Sequence, residues 1–178
     1  MAAFATVAEL ESLMGTTGLG ARGTAMLDYA SALIRLHTGQ DISVQTGRQE
    51  EWAGEWDRYY LEVTERPVTA LTLTVAGVAY TAFWANYLAG QIWRTDGTPW
   101  STGPIVVTYD SGYASDSDEI VGVKSICLEV AARALGGNTF GFETYGTETP
   151  ELRGAAPSVF LTEDEKRHLD RFGLVGVA

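Results

Sequence analysis

Few residues in this chain have the type and spacing for chemistry. Gly18-Leu19-Gly20-Ala21-Arg22-Gly23 has the G-x-G-x-x-G spacing of a phosphate-cradling turn and precedes a helix. A dinucleotide fingerprint also needs a strand directly before the turn. Glu9 to Met14 reads as helix and no βαβ unit follows, so the segment is a flexible turn. Asp110, Asp116, Asp118 and Glu119 suggest calcium ligands, but the acid alternation and glycine of an EF-hand loop are out of place. Helix capping accounts for them. His37 and His168 lack a second His or a Cys at ligand spacing, and no Ser–His–Asp or Cys–His arrangement emerges. Cys127 is the single cysteine, which excludes an internal disulfide and a multi-cysteine zinc site. It sits in an apolar helix without a nearby base and reads as a small core residue. No catalytic, cofactor-binding or metal-binding residues are expected, and the chain is not read as an enzyme.

Trp52, Trp56, Trp84, Trp93 and Trp100 offer contact rather than catalysis. Aromatics on a β scaffold can stack on sugar rings, fill a core or meet a neighbouring subunit, where Trp is enriched. Trp84, Trp93 and Trp100 are expected at a subunit interface. A carbohydrate-binding β module with appended helices is the alternative. A hydrolase using paired carboxylates is a third reading, in which no pair is singled out.

The element that organises the chain runs from Ile105 to Gly137. A strand, Ile105–Tyr109, turns at Asp110-Ser111-Gly112-Tyr113. Ser115-Asp116-Ser117-Asp118-Glu119 then supplies capping residues and first-turn acids for a helix. Ile120, Val123, Cys127, Val130, Ala131 and Ala134 repeat at helical spacing, and Gly136-Gly137-Asn138 stops it. Before it, Phe4–Met14 reads as a short helix with a capping box at Thr6 and Glu9, and Ala21–His37 as a longer one. From Ile42 the period changes. Ile42–Val44, Arg58–Val63, Val68–Val75, Val78–Trp84, Gln91–Arg94 and Ile105–Tyr109 read as short strands, and polar Gly47–Trp56 as an exposed loop. Ala76-Gly77 reads as a hairpin turn. Asn138–Phe160 is long, glycine-rich and without periodicity, and Thr162 with Glu165 caps a final helix. Leu174, Val175 and Val177 stand in an uncharged apolar tail that suits a partner groove.

The expected fold is α+β: a helical bundle of two N-terminal helices, a long central helix and a C-terminal helix. It carries a small antiparallel β insert of about five strands. The 178 residues form one domain, 1–178, with a β-rich insertion at 42–110 and a C-terminal arm at 138–178. Hydrophobic content of 46% argues against wholesale disorder. Twelve basic against 23 acidic residues give a formal charge of −11, which argues against gripping nucleic acid. No basic segment followed by an apolar run is seen at the start, and no stretch reaches membrane-spanning length. A soluble protein made in a cytoplasm is expected, with no membrane partner.

In order and spacing, the chain resembles the head-to-tail adaptor (head-completion, or connector) proteins of long-tailed bacteriophages. The residues that carry this are Phe4–Glu11, Ala30–Arg35, Thr38-Gly39, Arg66–Ala70 and the turn Ala76-Gly77-Val78. Val106–Tyr109 running into Gly112-Tyr113, the helix Ile126–Leu135, and Leu161–Glu165 complete them. No single motif is diagnostic, and Gly47–Trp56 and Phe83–Trp100 carry none of the likeness. The resemblance implies a structural virion protein of the head–tail neck, forming a ring that is usually dodecameric in the family. Such a ring sits beneath the portal protein, extends the DNA channel and meets a stopper or tail-completion protein. DNA passes through without specific binding. Family C-terminal segments reach toward the portal, which here points to Phe160, Leu161, Phe172, Leu174, Val175 and Val177. Glu50, Glu51, Glu55 and Asp57 are candidate lumen-facing acids, since an acidic wall repels phosphate. Solubility alone would account for them as well.

Overall fold

The computed structural model describes residues 3–52, 58–100, 103–136 and 160–173. Among these are four α-helices and two antiparallel sheets, of four and three strands, so the chain is α+β. The order is α1 (Val7–Met14), α2 (Gly20–Thr38), β1 (Gln45–Trp52), β2 (Tyr60–Glu62), β3 (Val68–Val75), β4 (Val78–Ala79), β5 (Phe83–Asn86), β6 (Gln91–Arg94), β7 (Ile105–Ser111), α3 (Asp118–Gly136) and α4 (Glu163–Leu169), closed by a 3-10 turn at Asp170–Phe172. Internal contacts divide the chain into two units. One comprises Met1–Thr38 with Val121–Arg171, the other Gly39–Ile120 with Phe172–Ala178.

In the helical unit, both expected capping boxes form. The Thr6 hydroxyl accepts from Glu9 N, and the Glu9 carboxylate accepts from Thr6 N at 2.8 Å. Thr162 and Glu165 do the same for α4, with Thr162 N donating to Glu165 at 2.6 Å. Each box satisfies two N–H groups that the helix itself leaves unpaired. The buried stripe of α2 is Leu27, Ala30, Ser31 and Ile34; that of α3 includes Val123, Cys127, Val130, Ala131 and Ala134. Small side chains let the two helices approach. Cys127 Sγ lies 3.4 Å from Ser31 Oγ and 3.8 Å from Leu27 O. Burial pushes the Cys127 thiol pKa up, as suits a core residue rather than a nucleophile. The expected helical bundle is only partly met. α2 and α3 have 19 residues each, but α1 has eight and α4 seven, so a long pair carries two short helices.

In the β unit, β7 lies between β1 and β3 in the sheet order β1-β7-β3-β4. Ile105, Val107, Tyr109 and Ser111 alternate inward along it. Ala76 and Gly77 both have positive φ, 50° and 78°, the two-residue turn whose twist suits a hairpin. After that turn the chain runs back along β3. Tyr80 N donates to Leu73 O and Val68 N to Tyr87 O, each at 2.8 Å. Between these two points β5 peels away to pair with β6, giving the second sheet, β2-β6-β5. One segment therefore serves both sheets, and a single core fills the space between them. It holds Leu61, Val63, Val68, Leu73, Ile92, Trp100, Ile105, Val107 and Tyr109.

The β unit departs from the sequence expectation in three places. Among the described residues seven strands form instead of about five. Polar Gly47–Trp52, expected in a loop, belongs to β1, an edge strand paired to β7 from Gln45↔Ser111 to Trp52↔Ile105. An edge strand with solvent on most sides needs no apolar alternation. Ile42–Val44 contributes only an isolated parallel bridge, Ser43↔Tyr113. The approach there is close. Gly112 has φ 89°, and a Cβ on it would stand 2.3 Å from Ser43 O.

Candidate functional site

The expected lumen acids sit on β1 and beyond. Glu50 and Glu51 are neighbours on a strand, so their side chains leave on opposite faces. Glu51 is exposed. Glu50 is half-buried and occupied: it accepts from the Tyr109 hydroxyl and, at 2.9 Å, from Thr64 N. Arg48 Nη2 lies 3.2 Å from Glu65, whose carboxylate also accepts from Asp41 N at 2.8 Å. Side chains thus tie β1 to the segment after β2. Burial raises the Glu65 pKa above the ordinary carboxylate value; the Asp41 N–H and Arg48 oppose this, and the charges of Asp41 and Glu50 reinforce it. Burial also raises the Tyr109 pKa, helped by the bond to Glu50. Glu50 therefore ties β1 to β7 and to the segment after β2. Glu55 and Asp57 lie outside the described residues.

The three-stranded sheet turns Leu61 and Ile92 inward and aligns Tyr60, Trp93 and Trp84 in one cross-strand rung. Trp84 stacks on Trp93 with centroids 4.0 Å apart and planes 7° apart; Tyr60 lies 5.9 Å from Trp93 on the other flank. Rings stacked along a rung stand on edge, so they form a ridge rather than a flat platform. Trp84 is 52% exposed, and Tyr59 and Tyr60 are exposed beside it. A sugar platform needs free ring faces, and Trp93 is covered on both. The next rung is polar: Glu62, Gln91 and Asn86. Trp100, expected at an interface with Trp84 and Trp93, is 1% exposed and belongs to the core, its Nε1 donating to Ile92 O at 3.2 Å. Tyr60 was missed by sequence. Its place in the rung depends on strand pairing, which local pattern does not reveal.

The helical unit carries an open groove of about 730 Å³ lined by Leu33, Leu36, His37, Phe160, Leu161, Thr162, Glu163 and Lys166. Its largest apolar walls are Leu36, 80% exposed, and Phe160, 55% exposed. Polar side chains at the rim contact one another. Lys166 Nζ lies 2.7 Å from Glu163, and His37 Nε2 lies 3.0 Å from Asp170. The Glu163 pKa is lowered by its bond to Lys166. Arg133 props the wall, donating to Phe160 O at 3.1 Å and forking onto Glu165 at 2.8 and 2.9 Å. Phe160 and Leu161, expected at the portal, thus meet in one groove with Leu33 and Leu36. Phe172 does not join them. It is buried in the β unit against Tyr113, ring centroids 5.6 Å apart, and its carbonyl accepts from Gln40 Nε2 at 2.6 Å, so it is a core residue there. Leu174, Val175 and Val177 lie outside the described residues.

Among the described residues, no three His, Cys, Asp or Glu side chains group to hold a metal ion, and no helix is long and apolar enough to cross a membrane. No family model matches the sequence, and no curated protein matches it. A solved structure described as "Neck of empty GTA particle computed with C6 symmetry" is similar, with TM-score 0.49 and 17% identity, over 98% of this chain and 91% of that one.

Proposed function

We propose that this chain is a structural neck protein of a tailed, phage-like particle, acting as a ring between the portal and the stopper or tail-completion protein. The observation that carries this reading is the pairing of an acidic chain with built, exposed apolar surfaces. The formal charge is −11, yet Leu36, Trp84 and Phe160 stand out from ordered surroundings. Exposed apolar side chains gathered in one groove or one rung suit a partner that covers them. The element order that resembles the head-to-tail adaptors supplies the kind of partner. In this reading the ring is dodecameric, 42–110 is the β-rich insertion of one adaptor domain, and 138–178 is an arm that reaches the portal through Leu174, Val175 and Val177. Phe160 and Leu161, part of the groove, go instead to a contact between copies. Glu51, Glu55 and Asp57 face the lumen and keep phosphate from adhering. Particle assembly places the ring in the virion neck, after synthesis in the host cytoplasm.

The test is electron microscopy of the purified chain mixed with its cognate portal. A ring seated on one end of the portal is expected, and removal of residues 174–178 is expected to reduce its occupancy. A portal that stays bare in the presence of excess chain would refute the reading.

A further inference from the structure

We propose that the aromatic ridge of one copy, Tyr60, Trp93 and Trp84, seats in the groove between Leu36 and Phe160 of the next copy, so that copies join head to tail. This deepens the ring reading and rests on it.

Three observations point to a second copy as the occupant. The first is charge. Copies that each carry −11 repel, so contact between them is favoured where charge is already cancelled. Both surfaces meet that condition. At the groove, Lys166 pairs with Glu163. Beside the ridge, Arg66 pairs with Glu62, and Arg94 with Asp96 at 2.6 Å. The second is shape. The ridge is a row of partly exposed aromatic rings, and the groove is an open cavity with Leu33, Leu36, Phe160 and Leu161 among its lining. Two ridges facing one another would leave their flanks open, and two grooves would enclose a void. The third is kind of contact. Two different surfaces on the same chain give a heterologous contact, the type from which rings are built when its rotation closes. Trp84 is 52% and Tyr60 42% exposed, so the rung supplies the anchoring centre of a contact whose ordinary size is about 800 Å² per partner, and the surrounding surface, with Tyr59 on one side and Leu33 on the other, supplies the rest.

Sedimentation velocity of the full chain over a concentration series tests this, with circular dichroism confirming that each variant is folded. Trp84→Ser removes the ridge crest and Leu36→Glu blocks the groove; both positions are exposed, so neither change disturbs a core. The wild-type chain is expected to gain mass with concentration, and each variant to lose association at least about tenfold, the weight of one anchoring residue. Mixing the two variants is the decisive arm. The Leu36→Glu copy keeps its ridge and the Trp84→Ser copy its groove, so one intact contact per pair is expected, giving dimers and nothing larger. A wild-type chain that stays monomeric throughout overturns the proposal, as does a mixture that forms no dimers. So does loss of association in Leu36→Glu alone, which would give the groove to another occupant such as the 174–178 tail. Rings that form on the portal equally well with both variants would defeat this contact and leave the ring reading intact; a bare portal with wild-type chain would defeat both.

Discussion

Glu65 and Glu165 are both nearly buried, and their neighbours push them in opposite directions. For Glu165, burial favours the neutral form, but the Arg133 fork and the Thr162 N–H and hydroxyl outweigh it and lower the pKa from its ordinary 4.5. A depressed folded-state pKa means the stabilisation is present at neutral pH and fades as pH falls below about 4.5. Arg133→Met leaves that carboxylate without its partner; Arg133 is itself 39% exposed, so solvent screens the pair and the expected cost near pH 7 is about 2 kcal/mol rather than that of a fully buried pair. The loss should shrink in acid, where the carboxyl of the variant takes up a proton; urea unfolding at both pH values reads it. For Glu65, burial raises the pKa, so the folded state prefers the protonated form. Its contribution is present below the unfolded value and is lost as pH rises through the folded one. Glu65→Gln retains an acceptor for Asp41 N, and its stability relative to wild type is expected to improve from about pH 4 to about pH 8. A difference that does not change with pH would show that the Glu65 carboxylate is not held against its charge.

At the scale of elements, the ends of helices were the most legible part of the chain. Thr6 with Glu9, and Thr162 with Glu165, are local signals, because a capping box closes within four residues. Thr6→Ala and Thr162→Ala should each lower stability by about 1 kcal/mol in thermal unfolding. The apolar face of α3 was equally plain, since Val123, Cys127, Val130 and Ala134 recur at helical spacing. Strand partners were not legible. β1 carries polar residues on both faces and exists because β7 pairs with it from about sixty residues away. The ridge has the same origin: Trp84 and Trp93 meet Tyr60 only through the register of three strands. The groove joins Leu36 to Phe160 across a large stretch of sequence, and no periodicity within either segment marks it. Gly112 shows the limit from the other side. It reads as a turn glycine, yet what it permits is the approach of Ser43 O, which leaves no room for a Cβ. Gly112→Ala is expected to cost about 3 kcal/mol, well above the cost of a glycine replaced in open space, and chemical denaturation distinguishes the two.

At the scale of the whole molecule, charge and apolar contact make opposite claims on association, and salt separates them. Copies with a formal charge of −11 repel over a distance set by the Debye length, about 10 Å at 0.1 M salt and about 3 Å at 1 M. The surfaces proposed to meet are apolar, and the ions at their margins are satisfied within each copy, by Glu163 on Lys166 and Asp96 on Arg94. Added salt therefore removes the repulsion and leaves the attraction in place. Self-association is expected to strengthen several-fold as salt rises from about 0.05 to about 0.5 M. A protein that grips phosphate does the reverse, losing affinity steeply over the same range as counterions compete. Sedimentation at the two salt concentrations, run beside a DNA mobility-shift series, compares both slopes in one sample. Weaker association at high salt would mean that ion pairs between copies hold the contact, and the ridge-in-groove arrangement would fall. A DNA band retarded at low salt would mean that phosphate finds a basic surface, and a wall along which DNA passes freely would no longer describe this chain.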